Sequence, residues 1–320
     1  MRPLADIMGR VSVPLVTPFH QNEDVNYDAL GELVDFVITR DFCDSIVVTG
    51  TTGEFYSLTD EERLEVWKTV HAANRGRVPL VAGVGAASTR AAVRFTRIAG
   101  EMAFDVVMCV LPYYGKPTQR GIRRHYEAVA AATRLPVLIY NIPLFTGVNM
   151  EPETLEQLVE IPNIRGIKEE AGIQPTQATA FALRTPEDFS IYCGDDTMVL
   201  QVLQQRGVGV VSGGSQAIGN WMKAMIEAYY QGDNKKAAGI YFKMAPFCAS
   251  LNQNGRINPI PILRGAIERV SGIQIGPPRS PQAPATAEEM TVVGAILDGL
   301  ERTWLDWTVE SLASPVGRPG

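Results

Sequence analysis

Eight short apolar runs alternate with eight amphipathic helical segments over the first 230 residues, and this alternation restricts the chain to very few architectures. The runs fall at 11–17, 45–49, 79–82, 105–110, 137–140, 164–168, 190–193 and 207–211. Most are rich in Val and Ile with no polar alternation, the pattern of strands covered on both faces. The helical segments lie near 27–40, 59–74, 88–102, 118–132, 152–159, 174–184, 195–205 and 214–230. Thr59-Asp-Glu-Glu opens one with a capping residue followed by acids, and Glu151-Pro-Glu-Thr opens another. An open doubly wound sheet usually carries a glycine-rich turn after its first strand. Here Val16-Thr-Pro-Phe-His takes that place. The expected fold is therefore a closed (β/α)8 (TIM) barrel over residues 1–230. Residues 231–312 read as a C-terminal helical extension, with a proline-rich connector at 277–284, and 313–320 as a tail.

Composition bounds the function. A 46% hydrophobic, 20% charged chain buries a large core, and a net charge of −6 without a basic run argues against nucleic acid. No apolar stretch reaches the roughly 20 residues of a membrane span, and the N-terminus lacks a signal-peptide core, so the cytoplasm is expected. Cys43, Cys109, Cys193 and Cys248 are dispersed and read as reduced thiols. His20, His71 and His125 are also scattered, so no metal site is expected.

Barrel chemistry gathers where strands end. Those ends read GTTGE (50–54), PYY (112–114), YNIP (140–143), GIKE (166–169), GDD (194–196) and Val211-Ser-Gly-Gly. Lys168 closes an apolar strand, where desolvation would yield the neutral amine that attacks ketones; the plainer reading is a rim lysine paired with Glu169. Tyr114 and Tyr140 end neighbouring strands and offer phenols for proton relay, or else aromatics for an interface. Gly50-Thr51-Thr52-Gly53 offers hydroxyls and amides to a small carboxylate, or is an ordinary turn.

Taken together, and with NPIP at 258–261, these motifs resemble the dihydrodipicolinate synthase / N-acetylneuraminate lyase family of class I pyruvate-dependent aldolases, from about residue 10 to about residue 300. The resemblance implies a Schiff base between Lys168 and pyruvate, with Tyr140 as general acid/base and Thr51 and Tyr114 completing a hydroxyl relay. It also implies that Tyr114 reaches a neighbouring subunit's site in a homotetramer, a dimer of dimers. Thr52, with Gly50 and nearby amides, would hold the pyruvate carboxylate, and Gly194 and Val211 would line the pocket behind the imine. The imine is itself the electron sink, so no cofactor or metal is implied. The partners would be pyruvate and a second small aldehyde or keto acid, joined by condensation or released from a 2-keto-3-deoxy or 4-hydroxy-2-oxo acid.

The second substrate stays open. Dihydrodipicolinate synthases typically carry an arginine where Phe145 stands, and sialic acid lyases a glutamate where Thr197 stands. Lys116 or Arg256 would be the loop cations to serve a carboxylate instead, although the sequence does not position either. Synthase activity proper, a keto-acid dehydratase, a phosphate-binding barrel isomerase using Gly213-Gly214, and a silent regulatory relative are the competing readings. Ala87 and Ala91 occupy positions that carry polar groups in lysine-regulated synthases. Millimolar lysine is therefore expected to leave turnover unchanged, and strong inhibition in a steady-state assay would contradict this.

Overall fold

A computed structural model of the chain describes residues 2–170 and 172–313. Eight parallel strands close into a barrel in sequence order: β1 (Val11–Pro14), β2 (Ser45–Val48), β3 (Leu80–Gly83), β4 (Val106–Val110), β5 (Val137–Asn141), β6 (Ile164–Glu169), β7 (Ser190–Cys193) and β8 (Gly207–Val211). Closure is made by β1 against β8, with Val11 opposite Val210 and Ser12 opposite Val211. The helices before β8 are α1 (Ala5–Met8), α2 (Tyr27–Thr39), α3 (Asp60–Asn74), α4 (Thr89–Glu101), α5 (Gln119–Ala131), α6 (Pro143–Thr146), α7 (Pro152–Leu158), α8 (Gln177–Ala182) and α9 (Val199–Gln204). Beyond β8 come α10 (Ser215–Tyr230), α11 (Asn234–Ser250), α12 (Ile260–Ser271) and α13 (Ala287–Ala313). Of the expected tail at 313–320, Ala313 is instead the last residue of α13, and 314–320 lie outside the described residues.

Two apolar layers follow from strand alternation. Outward-facing residues such as Val13, Ile46, Ala82 and Ile139 pack on the helices. Inward-facing Val47, Val81, Met108, Leu138, Tyr140, Tyr192 and Val211 fill the barrel with Leu4, just before α1, and Met8 at its end, which close the bottom. The α3 start is fixed by a full capping box: Thr59 accepts from Glu62 N and Glu62 accepts from Thr59 N. Proline at the first position opens α7 as expected.

Several boundaries differ from the sequence expectation. The first strand stops at Pro14 rather than residue 17, because Val16 N turns to the Gln216 side chain at 2.9 Å instead of a neighbouring strand. The segment beginning at 195 is not helical until Val199, because Asp195 Oδ1 accepts from Thr197 N and Thr197 Oγ1 at 2.8 and 2.7 Å and holds a local turn. Both acids of Asp195-Asp196 thereby stay in the loop above the barrel.

Candidate active site

Lys168 stands on β6 between Tyr140 of β5 and Tyr192 of β7, residue opposite residue. All three point inward. The lysine is 5% exposed, and its Nζ lies 3.9 Å from the centroid of the Tyr140 ring. Desolvation outweighs the attraction of Asp196, Cys193 and Glu170 and brings the amine down to about 8. At pH 7 roughly one amine in ten is then neutral, against roughly one in three thousand for an ordinary lysine. Glu169 does not pair with it. Alternation turns that side chain outward, where Asn141 Nδ2 and Gln177 Nε2 donate to it at 2.8 and 3.0 Å, and burial raises it to about 8. The network locks β5 against β6 in the register that sets Tyr140 beside Lys168.

Tyr140 is buried, and its phenol is pushed up by desolvation despite a hydrogen bond with the Thr51 side chain. It is a protonated group over the amine. Thr51 belongs to the turn after β2, where Gly53 N donates to Gly50 O and Glu54 N to Thr51 O, with Thr49 and Glu54 both at positive φ. Gly53 is tightly packed, since a Cβ there would stand 3.0 Å from Leu15 O and 3.3 Å from Thr49 Cα. Glu54 anchors the turn from beneath through a buried ion pair with Arg264 of α12 at 2.8 Å.

A cavity of about 160 Å³ opens above the lysine. Of the residues singled out from sequence, Lys168, Tyr140, Thr51, Thr52, Gly194, Val211 and Phe145 all line it. Gly194 leaves space there: a Cβ would approach Lys168 Cε to 2.9 Å and Glu169 O to 3.1 Å, so a side chain would push the lysine aside. Gly50 does not line the cavity but sits below it, where a Cβ would face Met108 Cε at 3.3 Å. Tyr114 is 93% exposed at φ 65° and takes no part in the cavity of its own chain. Gly214 N donates to Asp196 Oδ2 at 2.8 Å, so a carboxylate already occupies the amide that a phosphate cradle would use. Arg256 is held by both Glu289 oxygens at 2.7 and 2.9 Å, and Lys116 stays outside the lining.

The sequence reading missed two groups of lining residues. Glu170 lines the cavity with Asp195 and Asp196, which the sequence shows within GDD without assigning them a role; counting two residues on from Lys168 shows that Glu170 faces the same way. Cys248, Leu251, Ile257 and Leu263, on or beside α11 and α12, form the far wall with Ile260 of the NPIP motif, and no local signal marks the first four. Among the described residues no group of three or more His, Cys, Asp or Glu is placed to hold a metal ion, and no helix is long and apolar enough to cross a membrane.

A closed parallel barrel with a desolvated lysine at the end of its sixth strand, beneath a phenol and a threonine, defines the lysine-bearing barrel lyases. Residues 7–300 match the model of the dihydrodipicolinate synthetase family. The chain is 39% identical to a 4-hydroxy-tetrahydrodipicolinate synthase of Halalkalibacterium halodurans over 282 residues, covering 88% of this chain and 94% of that one. It is 37% identical to the enzyme of that name from Bacillus velezensis, covering 92% and 99%. A crystal structure of a dihydrodipicolinate synthase from Bacillus anthracis superposes with a TM-score of 0.85 at 35% identity, covering 91% of this chain and 98% of the other. The lysine-bound synthase of Cyanidioschyzon merolae gives 0.85 at 36%, covering 91% and 97%. The chain belongs to the dihydrodipicolinate synthetase family, and with it to the class I aldolases, which are carbon–carbon lyases.

Proposed function

We propose that the protein condenses pyruvate with a second carbonyl compound, or runs the reverse cleavage, through a Schiff base on Lys168. The observation that carries this reading is the buried amine, lowered to about 8 and held 3.9 Å from the Tyr140 ring centroid. The neutral amine attacks the ketone carbon of pyruvate, and Tyr140 supplies the proton that lets the carbinolamine lose water. Thr51, hydrogen-bonded to that phenol, passes protons onward. Thr52 and neighbouring amides hold the carboxylate, and the hydrogen of Gly194 leaves room behind the imine. The protonated imine accepts the electron pair left when a methyl proton departs, so neither metal nor organic cofactor is called for. The resulting enamine attacks the second carbonyl.

Assembly as a homotetramer in the cytoplasm belongs to the same reading. Tyr114, outward-pointing and at positive φ, is shaped to complete the relay in a neighbouring subunit. A second reading, synthesis of 4-hydroxy-tetrahydrodipicolinate itself, is favoured by the relatives of that name. Phe145 on the cavity wall weighs against it, because an aromatic ring offers no charge-assisted contact to the carboxylate of aspartate semialdehyde.

Tyr140→Phe is expected to lower pyruvate-dependent turnover by about 10²–10⁴-fold with an unchanged far-ultraviolet circular dichroism spectrum. Pyruvate would be followed by coupled reduction, with aspartate semialdehyde and sugar-derived keto acids in separate reactions. Full activity in this variant would remove Tyr140 from the mechanism.

A further inference from the structure

The walls above Lys168 differ in kind. Ile142, Leu144, Phe145, Leu251, Ile257 and Leu263 form an apolar side, while the ends of β6 and β7 contribute Glu170, Asp195 and Asp196. Lys168 is the sole basic side chain among the described residues lining the cavity.

Glu170 forms no ion pair within 4 Å among the described residues, although it lies in the electrostatic field of Lys168. Two residues beyond Lys168, it turns toward the same cavity and is 7% exposed. Its Oε1 accepts from Gly172 N at 3.1 Å, but its Oε2 is buried with no hydrogen-bond partner among the described residues. Asp196 Oδ1 is likewise buried and unpartnered among the described residues, although Ser212 and Gly214 N hydrogen-bond the same carboxylate. A Cβ on Gly172 would stand 2.8 Å from Glu170 Oε1 and 2.5 Å from Asp195 Oδ2, so both carboxylates close on one turn. A buried carboxylate oxygen without a donor is costly to leave unpaired. Glu170 and Asp196 both line the acidic side of the cavity, so a small shift of the Glu170 carboxyl would let a donor on the bound molecule satisfy it, while this side repels an anion.

Resting on the imine chemistry above, we propose that the second substrate is an uncharged aldehyde, apolar in body and carrying a hydroxyl that donates to Glu170, and that aldehydes bearing a carboxylate are discriminated against. The pyruvate carboxylate is met on the opposite side, by the Thr51-Thr52 turn. In the reaction, the enamine carbon forms a bond to the aldehyde carbon, and the aldehyde oxygen takes up a proton equivalent to the one lost from the methyl. Water then hydrolyses the imine and frees Lys168. Pyruvate plus aldehyde gives a 4-hydroxy-2-oxo acid, with nothing oxidised or reduced.

The test supplies pyruvate with butanal, 3-hydroxybutanal or 4-oxobutanoate and quantifies each aldol product by mass spectrometry. The expected order of kcat/KM is 3-hydroxybutanal, butanal, 4-oxobutanoate, with about tenfold or more between first and last. Glu170→Gln should narrow the first-to-last ratio by roughly tenfold. A ratio taken within one enzyme does not depend on how much of the variant folds. A preference for 4-oxobutanoate, or a ratio unmoved by Glu170→Gln, would overturn the proposal. So would a borohydride-trapped pyruvate adduct on Lys168 with no product from either uncharged aldehyde, which leaves the imine chemistry standing. Failure to trap any adduct strikes the imine reading itself.

Discussion

Lys168→Met is expected to give a protein that forms no pyruvate adduct and yet unfolds at a higher denaturant concentration than the wild type at pH 7. The fold holds this amine at about 8, below its ordinary value of 10.5. An unfolded chain therefore binds the proton more tightly than the native one. The resulting penalty is fully present below about pH 8 and fades as pH rises from about 8 to 10.5. Integrated to pH 7, it is roughly 3 kcal/mol. Methionine keeps an unbranched chain of similar length and has no charge to desolvate, so most of that penalty should be recovered. Urea unfolding of both proteins at equal concentration measures the difference. A variant less stable than wild type would mean that the amine is satisfied by partners and is not held in reserve for reaction.

Arg264→Leu is expected to destabilise the protein by about 3–5 kcal/mol, the range for a buried ion pair stripped of one partner. Arg264 is 1% exposed and Glu54 is fully buried. The guanidinium donates to Glu54 Oε1 and Thr17 O at 2.8 Å, to Ile275 O at 2.7 Å and to Gly276 O at 2.9 Å. Removing it leaves the Glu54 carboxylate with the Arg279 amide at 3.2 Å. The damage reaches the site although Arg264 lines none of the cavity, because Glu54 anchors the turn that presents Thr51 and Thr52. Adding Glu54→Gln to Arg264→Leu should recover part of the loss, since an amide is easier to bury than an unpaired carboxylate. A double-mutant cycle in urea reads the coupling. A loss below about 1 kcal/mol for Arg264→Leu would show that the pair is dispensable.

The barrel was legible because its strands are covered on both faces and so read as uninterrupted Val- and Ile-rich runs between capped helices. Lys168 was legible for the same reason, as a charge at the end of such a run. What escaped was set by distance or by brevity. Helix α1 has four residues, too few for a period, yet with the residue preceding it the helix sets Leu4 and Met8 into the barrel floor. The wall made by Leu251, Ile257 and Leu263 comes from a region whose pattern announces helices without saying where they dock. Asp195 and Asp196 resembled a helix start because acids favour first turns; here the Asp195 side chain caps Thr197 and keeps them in the loop. Gly50 was grouped with Thr51 and Thr52 by adjacency, but the turn drops it beneath the cavity. Tyr114 shows the converse, since one chain alone gives its exposed ring nothing to do.

The central claim is that Lys168 is a reactive amine, and reductive trapping tests it most directly. The protein is incubated with pyruvate and borohydride, weighed intact, and digested to locate the modification. The account predicts one added pyruvate-derived group per chain, on the peptide carrying Lys168, at an initial rate that climbs as pH rises to about 8 and levels off above it. An adduct on another lysine, or none at any pH in that range, would contradict the account.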